Sequence, residues 1–207
     1  MEGYITVKEY ASDEFTERKS RFIGHIKPVA TEEEAAAFVG EIRQKYWDAA
    51  HNVYAYVLRN GQARRYSDDG EPQGTAGVPV LDVLLKENIA DAAVVVTRYF
   101  GGILLGGGGL IRAYSHGAKL AVDAAALLRM VPCTVLEMSF DYGTYGKISN
   151  LLSSFTVKVL SQDFGVLVTL RMLIRDDDKE HFLKELTELT AARVVPAEKE
   201  LLFAHME

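Results

Sequence analysis

An α+β chain in two domains is what the sequence predicts, on three observations. Ala92 to Val96 is a continuous apolar run, β-branched at its end, and its length suits a buried strand better than a helix. Two glycine clusters follow, Gly101-Gly102 and Gly106 to Gly109, and from Leu110 onward apolar residues recur at the spacing of one helix face. Beyond Pro132 a second set of strand and helix patterns runs to completion. With 207 residues the chain has room for two cores. The division is expected at residues 1–131 and 132–207.

In chain order, Tyr4 to Val7 and Arg21 to Val29 read as short strands joined by a polar, charged link. Thr31-Glu32-Glu33-Glu34 is a capping box whose acids favour a helix N-terminus. Ala35, Phe38, Val39, Ile42 and Tyr46 form the helix's apolar stripe, ending near Lys45 or Tyr46. His51 to Leu58 is rich in aromatic and β-branched residues, as a strand is. Asn60-Gly61 signals a tight turn, with Gln62 to Tyr66 returning antiparallel. Asp68 to Gly77 is turn-rich, and Pro79 fits the first turn of a helix running to about Glu87, with Val80, Leu81, Leu84 and Leu85 inward. After the strand Ala92 to Tyr99 comes a helix from Leu110 to about Arg129.

In the second domain Leu136, Met138 and Phe140 alternate with polar residues, as in a half-buried strand. Tyr145, Ile148, Leu151 and Leu152 mark a helix, and Val157 to Ser161 a strand. A turn follows at Asp163 to Gly165, then an inward set from Val166 to Ile174. Phe182, Leu183, Leu186 and Leu189 mark a second helix, and Val194 to Phe203 a last strand. The order is β-α-β-β-α-β, the split, ferredoxin-like pattern.

The net charge of −6 excludes a protein that coats nucleic acid by bulk electrostatics. A phosphate would need a local patch, with Lys19, Arg21, Arg64, Arg65, Arg98, Arg112 and Lys119 as candidates. The single cysteine, Cys133, rules out an internal disulfide and a Cys-rich zinc site. No apolar run approaches a membrane span, and the first residues lack the basic-then-apolar pattern of a signal peptide, so a cytoplasmic location is expected. No cofactor is expected.

A strand, glycine loop and helix in series leave free amides at the positive end of a helix, which suits a phosphate. G-x-G-x-x-G fails because Ile111 and Arg112 stand where its last glycine is needed, and no glycine is followed by Lys and then Ser or Thr. The candidates for an anion site are Gly101, Gly102, Gly106, Gly107, Gly108, Gly109, Arg98 and Arg112, with Lys19 and Arg21. The bland alternative is that the glycines only permit positive φ or close packing. Arg98 closes a buried strand and needs solvent or a partner. Arg112, in the expected first turn of its helix, opposes the helix dipole unless an anion is near. Either both arginines pair with Asp68, Asp69 or Glu71, or they share a phosphate.

Asp68, Asp69 and Glu71 put three carboxylates in four residues, which could hold Mg²⁺ or Mn²⁺. The alternative is an Asx-type turn. Ser115 lies inside the helical stripe, not in the strained elbow a serine hydrolase needs. His51 and His116 have no partner at metal-ligand spacing.

Asp68 to Leu81 (D-D-G-E-P-Q-G-T-A-G-V-P-V-L) and Val94 to Tyr114 (V-V-V-T-R-Y-F-G-G-I-L-L-G-G-G-G-L-I-R-A-Y) closely resemble the signature of the Impact family, whose bacterial members are YigZ-type proteins. Lys19-Ser20-Arg21-Phe22 and His51-Asn52-x-x-Ala55-Tyr56 support the match, and the latter adds His51 to the candidate binding residues. The family usually carries a lysine where this chain has Leu105. The resemblance implies an amino-terminal α/β sandwich with the fold of a ribosomal small-subunit protein domain and of domain IV of elongation factor G. It implies a carboxy-terminal domain like domain V of that factor. It also implies a link to translation, since the eukaryotic Impact protein is associated with translational control through an amino-acid-sensing kinase pathway. RNA, the ribosome or a translation regulator are the partners it suggests. Two alternatives stay open: a metal-dependent hydrolase built on Asp68, Asp69, Glu71 and His51, and a protein-interaction module using the open sheet face of the second domain.

Overall fold

The computed structural model describes residues 2–59 and 63–206. The expected turn at Asn60-Gly61, and Gln62 after it, lie outside the described residues. Two compact units divide between Leu128 and Arg129, the first being Tyr4–Leu128.

The first unit is built on a wholly antiparallel sheet in the order β2-β3-β6-β4-β5, from strands β2 (Ala11–Glu17), β3 (Ser20–Pro28), β4 (His51–Val57), β5 (Arg64–Ser67) and β6 (Ala92–Tyr99). Before them runs β1 (Tyr4–Val7), bridged at Ile5 to Ile89. Helix α1 (Glu32–Lys45) covers one face through Ala35, Phe38, Val39 and Ile42, packed on Ala93 and Val95. Helices α2 (Gly77–Lys86) and α3 (Gly107–Ala124) cover the other, where Val80, Leu84, Ala113 and Tyr114 meet Val94 and Val96. Strand β6 is therefore buried on both faces, which is why its sequence is an unbroken apolar run instead of an alternating one. Thr31 caps α1 by accepting the Glu34 N–H, while the Glu34 carboxylate reaches back to the Ala30 N–H at 2.7 Å. Helix α3 lies directly on β3: a Cβ at Gly24 would sit 2.0 Å from the Gly117 carbonyl oxygen, so any side chain there would push the helix off the sheet.

Three expectations need correction. The polar link after β1 contains a strand, β2, whose side chains are exposed apart from Ala11 and Phe15, so it carries little apolar signal. The glycines at 107 to 109 form the first turn of α3, not a loop before it, and the helix stops at Ala124. Pro132 does not interrupt the chain, because β7 (Leu127–Phe140) runs through it. Pro132 sits beside Phe203, one residue before the ladder on the strand's other side begins at Cys133, a margin where proline is accommodated.

The second unit has β7, α4 (Tyr142–Leu152), β8 (Val157–Phe164), β9 (Val168–Arg175), α5 (Asp176–Thr190) and β10 (Ala197–His205). Its strands are antiparallel in the order β10-β7-β9-β8, and both helices cover one face, with Ile148, Leu151, Phe182 and Leu186 on Leu136, Met138, Leu170 and Met172. This is the β-α-β-β-α-β arrangement expected from the alternation. Among the described residues no helix is long and apolar enough to cross a membrane.

Under α1 the sheet holds a buried polar chain. The Tyr10 hydroxyl lies 3.0 Å from His25 Nδ1, His25 Nε2 lies 3.4 Å from Thr97 Oγ1, and Thr97 donates to Asn52 Oδ1 at 2.7 Å. Because Thr97 spends its proton on Asn52, His25 must donate from Nε2 and accept at Nδ1, which only the neutral ring can do. Burial first, and then the charge of Lys45, lower its pKa from 6.5 to about 4. The folded state thus refuses a proton that the unfolded chain accepts. Stability attributable to this site is intact above pH 6.5 and declines as pH falls to about 4, by about 3 kcal/mol in all. Urea denaturation of the chain and of His25→Gln across pH 4 to 7 checks this: the variant loses that part of the slope.

Candidate functional site

The acidic turn between β5 and α2 is the natural starting point. Asp68 accepts N–H bonds from Gly74, Ala76 and Gly77 at 2.9, 3.1 and 2.8 Å, closing the turn onto the start of α2. Burial alone would push its carboxyl up, but those three bonds outweigh it and hold the group below its usual range. Asp69, at φ 47°, accepts from the Asn52 N–H at 2.7 Å and pairs with the Arg43 guanidinium. Its carbonyl oxygen meets His51 Nδ1 at 2.8 Å. Glu71 instead turns into the core. The three carboxylates therefore face three different sets of partners and do not form the metal-ligand set considered from the sequence. Among the described residues no group of three His, Cys, Asp or Glu side chains could hold a metal ion.

Glu71 is the centre of a buried network. Its Oε1 accepts from Arg98 Nη1 at 2.5 Å and from the Tyr114 hydroxyl at 2.7 Å, and His51 Nε2 lies 3.8 Å away. The side chains of Glu71 and Arg98 are only 4% and 6% exposed, so each charge depends on the other. The Arg98 guanidinium lies between two aromatic rings, 5.4 Å from Phe22 and 5.5 Å from Phe100. Burial, then the bond to Glu71, raise the Tyr114 pKa far above its usual value, so its hydroxyl is a permanent donor.

Helix α3 supplies the rim. Gly106 (φ 71°) is its N-cap, no side chain caps it, and its first turn contains no acid. The amides of Gly107, Gly108 and Gly109 are those an α-helix leaves without an intrahelical acceptor. Gly101 anchors the preceding loop: a Cβ there would lie 2.0 Å from the Lys19 carbonyl carbon, so only glycine lets the loop back onto that hairpin turn. Between the loop and the acidic turn is a pocket of about 390 Å³, lined by His51, Glu71, Arg98, Phe100, Leu104, Leu105, Gly106 and Gly107 among others.

The remaining candidates sit elsewhere. Lys19 occupies the β2–β3 turn at φ 65°, and Arg21 lies alongside Tyr99 and pairs with Glu14 at 2.6 Å. Neither Lys19, Arg21 nor Gly102 lines the pocket. Arg112 is in the second turn of α3, exposed, with no ion pair among the described residues. It lines a second pocket, of about 250 Å³, with Phe15, Arg18, Leu105 and His116. Arg98 is thus paired internally and Arg112 is free. Leu105 is partly buried against the core and forms a wall of both pockets. Sequence reasoning missed the network role of Tyr114, which it read only as part of an apolar stripe. A tyrosine at a core position was the available signal, since its hydroxyl needs a partner.

Arg98→Ala strands a buried carboxylate and is expected to lose about 3–5 kcal/mol of stability. Tyr114→Phe removes one donor and is expected to lose about 1–3 kcal/mol. Arg112→Ala stays within about 0.5 kcal/mol of the parent. Urea denaturation midpoints rank the three.

Comparison with known proteins bears on both units. The Impact N-terminal domain matches residues 18–122, and a domain of unknown function (DUF1949) matches residues 138–193. The chain is 39% identical to the IMPACT family member YvyE of Bacillus subtilis, over 98% of this chain and 94% of that one. It is 36% identical to an IMPACT family member of Haemophilus influenzae, over 94% and 96%, and 37% identical to YigZ of Escherichia coli, over 76% and 78%. A solved structure of a protein described only as hypothetical superposes with a TM-score of 0.62 at 32% identity, covering 97% of this chain and 98% of that one. Matched along nearly its whole length by proteins of that name, the chain belongs to the Impact family.

Proposed function

We propose that this chain is a cytoplasmic binding protein that takes a phosphate of single-stranded RNA at the start of α3. The carrying observation is the glycine first turn of an 18-residue helix, uncapped by any side chain and free of acids, beside a pocket that contains Arg98. Arg112, one turn further on and unpaired, adds a cation that helix geometry alone does not call for. A local site of this kind suits a chain of net charge −6, which has no general affinity for nucleic acid. On the same reading the two units are counterparts of domains IV and V of elongation factor G. That likeness directs the proposal towards RNA of the translation machinery, or a regulator bound to it. The hydrolase alternative has less support, because Asp68 and Asp69 are committed to backbone amides and to Arg43.

Fluorescence anisotropy with a labelled single-stranded RNA at several salt concentrations tests the proposal. With Arg98 paired to Glu71, a phosphate contact from Arg112 gives a slope of log affinity on log salt of roughly −0.7. Arg112→Ala flattens the slope by about 0.7. Gly108→Glu introduces a carboxylate where the phosphate would lie. Nothing stands within 4 Å of a Cβ at Gly108, so the fold accommodates the change and RNA binding is lost. Undiminished affinity in both variants overturns the proposal.

A further inference from the structure

The pocket beside the start of α3 has two acceptor positions in its floor that no donor among the described residues fills. Glu71 Oε1 already accepts from Arg98 and Tyr114, whereas Oε2 receives no hydrogen bond among the described residues. His51 Nδ1 faces the Asp69 carbonyl oxygen at 2.8 Å, and a carbonyl only accepts, so Nδ1 carries the ring proton. In the neutral ring Nε2 is left with its lone pair, 3.8 Å from Glu71 Oε1. Of the Arg98 donors, Nη1 is on Glu71, Nη2 lies 3.5 Å from Ser20 Oγ, and Nε is buried without a partner. The floor therefore offers two acceptors, Glu71 Oε2 and His51 Nε2.

The walls are apolar and flat. Phe100 is 51% exposed and Leu104 81% exposed, and Leu105 and Leu110 complete the sides. A side chain as large as Phe100 left half in water, with one ring face held by a guanidinium, is a stacking surface in waiting. The volume of about 390 Å³ falls in the range of small-molecule sites.

We infer that this pocket holds one unpaired nucleobase that carries an amino group, an inference that rests on the phosphate reading above. The base stacks on Phe100 and donates its amino hydrogens to Glu71 Oε2 and His51 Nε2, with its own phosphate towards the amides of α3. Adenine, cytosine and guanine each present an amino group. Uracil presents two carbonyl oxygens flanking a single N–H, which would face two acceptors. An ammonium or guanidinium ligand fits less well, because Arg98 already neutralises Glu71 and the helix start and Arg112 add positive potential.

Anisotropy measured on the full chain with three RNA hexamers tests this: oligoadenylate, oligouridylate and an abasic hexamer with the same ribose-phosphate backbone. Oligoadenylate is expected to bind about tenfold or more tightly than the abasic strand, and several-fold more tightly than oligouridylate. In Phe100→Ala the preference for oligoadenylate over the abasic strand collapses, and thermal melting of that variant checks its fold. Equal affinity for all three hexamers overturns the base pocket and leaves the phosphate site standing. Binding of free adenosine without any binding of the abasic strand keeps the pocket and removes the phosphate site. Displacement of oligoadenylate by spermidine and not by adenosine overturns the inference in favour of an amine ligand.

Discussion

One buried carboxylate organises the amino-terminal unit. Glu71 comes from a turn, Arg98 from the last residues of a central strand, and Tyr114 from the second turn of a long helix, and all three meet at a single oxygen atom. An ion pair this deep is a weak contributor to net stability, since desolvation offsets much of its attraction. Its effect is positional. Separating turn, strand and helix would leave both charges buried without a partner, so the network holds their mutual placement and with it the walls of the pocket above.

The surrounding layers make that placement rigid. Strand β6 carries α1 on one face and α2 with α3 on the other, so neighbouring residues serve opposite sides of the sheet. Thr97 joins the polar chain under α1 while Arg98, the next residue, joins Glu71 on the other face. The two buried polar systems are thus adjacent in sequence and separated by the sheet itself. Asn52 and His51 repeat the pattern one strand over: Asn52 bonds Thr97, and His51 faces Glu71.

How much of this was legible depended on whether a residue's role was set by its neighbours in sequence or by distant partners. Strand β6 and helix α1 were readable because burial on two faces, or on one stripe, writes itself directly into the order of residues. The alternation in β7 and β9 was readable for the same reason. Strand β2 was hidden because an edge strand with mostly exposed side chains has no apolar pattern to show. The glycines at 107 to 109 suggested a loop because glycine is a poor helix former. Their place in a helix is set by Leu110, Ala113 and Tyr114, whose burial holds the whole element. The candidate site was half legible. Spacing marked Asp68, Asp69 and Glu71 as a group, but the directions of their side chains are set by amides, cations and a hydroxyl up to 43 residues away. No local pattern carries that information.

The loop between Gly101 and Gly106 is held at both ends by backbone, against the hairpin turn at one end and as the helix cap at the other. Only residues 102 to 105 lie between, and Leu104 at their crest is almost fully in water. The pocket therefore has a floor of mutually bonded side chains and one short connecting segment above it. Leu104 and Leu105 thus differ in what a substitution would disturb: the first stands in water, the second packs on the core.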